Sequence, residues 1–180
     1  MNPEHATPED VMKESIPISE GVTELDNQLL TFRLERQLYG VSIGHVEQII
    51  SMQPITEIPE YPVYAKGVVS LRGNIIPVID LRLRLNRPEA TYTERTCIVI
   101  INVNDNQLGC IVDEVDAVLH VTEEQVSPPP HMSEESASSR YLTGIAKILG
   151  ENGSEKIILC LDLSKVLLQD EFSLLSERAV

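Results

Sequence analysis

Gly67-Val68-Val69-Ser70-Leu71-Arg72-Gly73-Asn74-Ile75-Ile76-Pro77-Val78-Ile79-Asp80-Leu81 is a line that this chain writes twice. Two apolar runs flank a tight Arg-Gly-Asn turn, the pattern of a β-hairpin. Asp80 stands where an N-cap would open a short helical turn over residues 81–85. Further on, Gly144-Ile145-Ala146-Lys147-Ile148-Leu149-Gly150 leads into Ile157-Ile158-Leu159-Cys160-Leu161-Asp162-Leu163. Both copies space their glycines six positions apart and end the second strand in Asp-Leu, and only the connecting turn is longer in the second, Glu151 to Lys156. A duplicated β unit implies two similar subdomains with a seam between them. That organisation suits a binding protein better than a catalyst.

The repeat extends outward. Shifted by 69 residues, Leu30, Phe32 and Leu34 fall on Val99, Ile101 and Val103, Gly40 on Gly109, and Val46 on Val115. Leu30, Phe32 and Leu34 alternate with polar residues as in a half-buried strand, and Gln37-Leu38-Tyr39-Gly40 then opens a second strand, Val41 to Ile43. Val46, Ile49 and Ile50 follow at helical spacing and predict a short helix from Gly44 to about Ser51. A short strand is expected at Ile55 to Ile58 among Pro54, Pro59 and Pro62. In the second half Asn104-Asp105-Asn106 is a hairpin turn, Gln107 to Val121 carries further strand, Ser127 to Ser139 is a polar loop, and Asp162 caps a short helix over 164–168. The chain has no Trp and two Phe, so its core rests on Val, Ile and Leu, residues that favour strands. Each half supplies about five short strands, with Gly at corners and Pro77 marking an edge or bulge. The fold expected is all-β with short helices, as two small five-stranded barrels side by side. The divisions expected are a flexible acidic tail over 1–26 and an ordered region over 27–168. Within it, a first barrel spans about 38–95 and a second about 96–168, the strand at 28–35 pairing at the seam or in the first barrel. Residues 169–180 form a C-terminal tail with a last helical turn around Phe172, Leu174 and Leu175.

A net charge of −14 argues against a nucleic-acid partner, because phosphate backbones need clustered Lys and Arg. From Asp105 to Glu135 there are eight acids and no Lys or Arg, whereas Lys66 to Arg95 holds six bases against three acids. These runs read either as solvated surface or as opposite-sign faces that orient protein partners. Cys97, Cys110 and Cys160 sit in apolar strand contexts without CxxC spacing and read as buried reduced thiols. The N-terminus lacks the basic and apolar regions of a signal peptide, and no apolar run approaches the roughly 20 residues that span a bilayer. A soluble, intracellular protein is expected.

Little here points to chemistry. Asp80 and Asp162 form a symmetric pair, as in a hydrolase built from two related halves. Leucine after each carboxylate gives no turn to present it, and a duplicated N-cap explains both. His5, His45, His120 and His131 lack ligand spacing, so neither metal nor cofactor is expected. Gly67 to Gly73 lacks the Lys-Ser/Thr and the helix of a phosphate loop. Arg72 stands out, since the matching residue of the second copy is Leu149 and the barrel therefore does not require arginine there. Its guanidinium either reaches carboxylates on a partner or tethers an internal acid such as Glu47.

Tyr39-Gly40-Val41-Ser42-Ile43 with Val46-Glu47, the stretch from Lys66 to Arg82, Gly109-Cys110-Ile111-Val112-Asp113-Glu114-Val115, and Tyr141-Leu142-Thr143-Gly144 together resemble the CheW family of bacterial chemotaxis coupling proteins. The resemblance runs from about Gln28 to Leu168. It implies two SH3-like five-stranded barrels, no catalytic activity and no cofactor. It further implies an adaptor between the cytoplasmic hairpin tips of chemoreceptors and the regulatory domain of a CheA-type histidine kinase, located in the cytoplasm at receptor arrays on the inner face of the membrane. In the family the receptor hairpin packs into the groove between the barrels, while barrel ends meet the kinase. Carried over by position, Ile43, Val46 and Arg72 match receptor-side residues of the first barrel, with Cys97 and Ile98 near the same groove. Val46 also suits a core position. No kinase-contact residue is carried over. The chain departs from the family's frequent residues at Ser42, Ser70 and Gln48. The alternative within the class is a CheW-like coupling protein of a non-flagellar pathway such as pilus motility, and the remote one a hydrolase using Asp80 and Asp162.

Overall fold

The computed structural model describes residues 27–130, 140–167 and 169–178. The tail expected over 1–26 and the loop from residue 131 to 139 lie outside these residues. The strands are β1 (Gln28–Leu34), β2 (Gln37–Ser42), β3 (Val46–Ser51), β4 (Ala65–Leu71), β5 (Asn74–Asp80), β6 (Cys97–Val103), β7 (Asn106–Val112), β8 (Glu114–His120), β9 (Val126–Ser127), β10 (Leu142–Leu149) and β11 (Glu155–Leu161). Short helix α1 (Leu81–Arg84) follows β5, and α2 (Gln169–Arg178) closes the described chain. The strands form two SH3-like units, of order β8-β1-β2-β11-β10-β9 and β3-β6-β7-β5-β4.

These sheets do not divide the chain near residue 96. The hairpin β1–β2 belongs with strands of the second half, and β6–β7 with strands of the first. Both crossings are parallel ladders: Cys160 lies opposite Gly40 and Val78 opposite Gly109. The antiparallel pairs β1–β8 and β6–β3 complete the exchange. Corresponding residues thus occupy corresponding places, and the strand at 28–35 lies in the β10–β11 unit, not the β4–β5 unit. Local patterning could not reveal this, because a hairpin's own sequence does not specify which sheet its outer edge extends.

The exchange explains why the central strands are apolar on both faces. In β6, Ile98 and Ile100 face a core enclosed by the β4–β5 unit, while Val99 and Ile101 face a larger core between the units. In β1, Leu30, Phe32 and Leu34 point into the shared core and Leu29 into that of the β10–β11 unit. Thr31 is fully buried and is satisfied by the backbone of Ala117, donating to its carbonyl at 2.9 Å and accepting from its N–H at 3.1 Å.

Helix α2 docks on the shared core through Leu175, which is completely buried. Tyr61 O–H donates to the Leu175 carbonyl and Tyr64 O–H to the Glu171 carboxylate. Arg84 donates to Glu171 at 3.0 Å and to the Val166 carbonyl at 2.6 Å, with its guanidinium 4.6 Å from the Tyr64 ring centroid.

The two Asp-Leu endings behave alike. The Asp80 carboxylate accepts from Leu83 N–H at 3.4 Å, opening α1, and Asp162 accepts from Ser164 N–H at 3.0 Å, opening a 3-10 turn over Leu163–Lys165. The hairpin turn at Asn104 and Asp105 forms with positive φ at both residues, which Asn and Asp tolerate. The strand expected at Ile55 to Ile58 is a single bridge, Thr56 to Val68. The helix expected from Gly44 to Ser51 is instead a 3-10 turn (Ile43–His45) followed by β3. Val46, Ile49 and Ile50 are β-branched, the available edge of β6 takes them into a ladder, and no side chain caps a helix start there.

Candidate functional site

Arg72 and Gly73 form the two-residue turn between β4 and β5, with φ of 52° and 84°. The left-handed region suits Gly, Asn or Asp and disfavours a long side chain. Leu149, the residue in step with Arg72, is an ordinary strand residue opposite Glu155, because the second turn is longer. The arginine conformation is therefore particular to this hairpin.

The basic run containing Arg72 is otherwise spent internally. Lys66 pairs with Glu89, Arg82 with Asp113, Arg84 with Glu171, Arg87 with Glu35 and Arg95 with Glu114. The two charge runs read from the sequence are thus partly joined to each other, through Asp113 and Glu114. Of the six bases, Arg72 alone makes no ion pair or hydrogen bond among the described residues, and it is exposed. It does not tether Glu47. That carboxylate accepts from Asn102 Nδ2 at 2.8 Å and Gln107 Nε2 at 2.6 Å. These two hydrogen bonds, the Asn102 one foremost, hold the Glu47 carboxyl below its usual range. A register shift in β3 between Val46 and Gln48 is the kind of bulge that re-aims a side chain, and Glu47 lies at it.

Glu47 and the start of β5 border one cleft of about 490 Å³, lined also by Ile75, Pro77, Asn102, Gln107 and Phe172 of α2. Ile75 is 54% exposed, one of several large aliphatics that the strands present to solvent. The cleft therefore carries an anchored negative charge and an apolar floor, with an unpaired guanidinium two residues from its rim residue Asn74.

The five residues singled out from the sequence separate here. Val46 opens β3 next to Glu47 and, like Ile43 in the preceding turn, is half-buried against the shared core. Neither Val46 nor Arg72 lines the cleft; they stand one and two positions along the chain from its lining residues Glu47 and Asn74. Cys97 is half-buried opposite Ser51, at the far end of β3 and β6 from Val46 and its partner Ile101. Ile98 is fully buried inside the β4–β5 core and presents nothing to a partner. Its position in a strand covered on both faces is the reason. The sequence does not mark Ile75 or Phe172 as cleft residues, since Ile75 is indistinguishable by type from Ile76 beside it, which is buried.

Asp80 and Asp162 are committed to their turns, and Asp80, 2% exposed, also accepts from Tyr92 O–H at 2.8 Å. Burial pushes the thiols of Cys97 and Cys160 up, and that of Cys110 to about 12. All three cysteines are free. Among the described residues no helix is long and apolar enough to cross a membrane.

Residues 28–171 match the CheW-like domain family. The chain is 33% identical over 152 residues to the chemotaxis protein CheW of Klebsiella aerogenes, covering 84% of this chain and 88% of that protein. It is 34% identical over 153 residues to the chemotaxis protein CheW of Treponema pallidum, covering 83% and 86%. Among solved structures it resembles the scaffolding protein TtCheW of Thermoanaerobacter tengcongensis with a TM-score of 0.67 and 31% identity, over 76% of this chain and 89% of that one. With two SH3-like units, a family match along nearly all of its described length, relatives named as chemotaxis proteins and a solved neighbour named as a scaffolding protein, the chain belongs to the CheW-like family.

Proposed function

We propose that the protein is a non-catalytic adaptor that couples the cytoplasmic hairpin tip of a chemoreceptor to the regulatory domain of a CheA-type histidine kinase, at receptor arrays on the inner face of the membrane. The observation that carries this reading is Arg72: an exposed cation in an unfavourable backbone conformation, unpaired in a run whose other bases are paired. A helix laid in a groove needs aliphatic contact and a few polar anchors. Ile75 and Val46 supply the first, and Arg72 and Glu47 the second, with Ile43 supporting from behind. Arg72 suits a carboxylate on the receptor helix and Glu47 a base. Cys97 and Ile98 take no part in this surface.

Co-sedimentation with receptor-containing membranes and kinase tests the reading. Arg72→Ala and Ile75→Asp change exposed residues, so both variants fold, and each is expected to weaken recruitment about tenfold, as loss of one interface anchor does. Receptor-controlled autophosphorylation of the kinase falls in parallel. Undiminished recruitment by both variants overturns the site, and a kinase output indifferent to the wild-type protein overturns the function.

A further inference from the structure

The correspondence between the halves lets one barrel serve as a template for the other. In the β4–β5 barrel the connection between the halves is tied across the mouth at the end of β5. Tyr92 O–H donates to Asp80 Oδ2 at 2.8 Å, Glu89 holds Lys66 at 2.7 Å, and Arg95 pairs with Glu114 at 3.6 Å. The corresponding residues of the β10–β11 barrel are Asp162 for Asp80, Thr143 for Lys66 and His45 for Glu114. All three border one open cavity of about 520 Å³, whose apolar lining includes Leu29, Val126 and Cys160. Two polar atoms that accept no hydrogen bond, one of them only loosely ion-paired, belong to residues lining this cavity. Asp162 uses Oδ1 on Ser164, and Oδ2 faces only Lys165, at 3.9 Å. Ser42, standing where the other half has Ile111, lines the same cavity, and its Oγ is buried without a hydrogen-bond partner. A buried hydroxyl without a partner is costly, and a ligand group that reaches Ser42 Oγ would offset that cost.

We infer that this open mouth binds a tyrosine side chain carried on an extended segment of a partner protein. The ring packs on Leu29, Val126 and Cys160, and the phenol hydroxyl donates to Asp162 Oδ2 in the neighbourhood of Ser42 Oγ, as Tyr92 does to Asp80. The chain's own preceding stretch supplies no such ring, since residues 1–26 contain no Tyr, Phe or Trp. Where Glu114 holds Arg95 in one barrel, His45 stands in the other, so the partner segment carries an acid or neutral acceptor at the position of Arg95. The cavity lies in the opposite unit from Arg72, and the inference does not depend on the receptor-coupling reading.

The test is a nuclear magnetic resonance titration of the full chain with a synthetic peptide of residues 86–96 carrying Arg95→Glu, and with the same peptide carrying Tyr92→Phe as well. The expected result is perturbation centred on Ser42, Thr143 and Asp162, with the phenylalanine peptide binding about tenfold more weakly for want of a charge-assisted hydrogen bond. Asp162→Asn in the protein reduces the preference for tyrosine. Ser42→Ile, which installs the residue of the closed barrel, abolishes binding in a protein that still melts cooperatively. Equal affinity of the two peptides, perturbations elsewhere, or contacts from residues 1–26 filling the cavity in the free chain would each overturn the inference.

Discussion

The β4–β5 and β10–β11 barrels share a sequence plan and differ in how tightly it is drawn. Gly67 has φ of 142°, and a Cβ there would run into the Thr56 carbonyl oxygen, which bridges to β4. Gly144 has no such backbone requirement, and its Cβ would meet Val126 Cγ1 at 2.8 Å and the Ser127 carbonyl at 3.1 Å. Both glycines admit a crossing segment at the same place. The first half closes its mouth with its own connection, whereas among the described residues nothing covers the second. The first turns on two residues, whereas the second takes a longer loop. The shared features hold the framework, and the differences lie in turns and mouths.

Breaking the glycine pair gives the largest expected effect. Gly67→Ala forces a side chain against backbone that cannot move aside, and a loss above about 3 kcal/mol is expected in urea denaturation. Gly144→Ala should lose only about 1–2 kcal/mol, since Val126 can yield. Equal losses would contradict the distinction between the barrels.

An intermediate effect concerns Tyr64 and Tyr141, which correspond and whose carbonyls accept from Asp80 N–H at 2.7 Å and Asp162 N–H at 2.8 Å. Burial pushes the Tyr64 hydroxyl from 10.0 to about 12, and the Glu171 carboxylate it donates to adds to the rise. Burial also raises Tyr141. A phenol raised in the folded state contributes stability that is complete below the unfolded value and is lost as pH climbs through the folded one. Stability should therefore decline between pH 10 and 12. Tyr64→Phe should flatten that decline more than Tyr141→Phe, as read from thermal midpoints across the range.

The smallest effect sharpens the turn comparison. Arg72→Asn relieves a left-handed arginine and should raise stability by up to about 1 kcal/mol, while weakening receptor recruitment. A stability gain without functional loss would mean that the guanidinium serves nothing outside the chain.

Much of this framework was legible in residue order. The paired hairpins, the Asp caps and the tight Asn104-Asp105 turn are local events, written in spacing and turn chemistry. Sheet membership was not legible, because Gly40 and Gly109 signal a close approach without naming Ile158 or Ile98 as the neighbour. Val46 to Ser51 was misread because its apolar spacing fits a helix as well as an edge strand, and only the ladder with β6 decides. At the site, Arg72 was identifiable by contrast with Leu149. Its isolation was not, since the pairing of Arg82, Arg84 and Arg95 depends on acids 19 to 87 positions away.

The exchanged hairpins tie the two units together through the backbone itself. Each half, taken alone, lacks two of the strands that complete its sheet. The chain is in effect a swapped dimer made permanent, its two copies tethered through residues 85–96, which replaces an association equilibrium with a single cooperative unit. The ladders β2–β11 and β5–β7 make each barrel partly from the other's covalent chain. The two units therefore cannot come apart without breaking strand pairing.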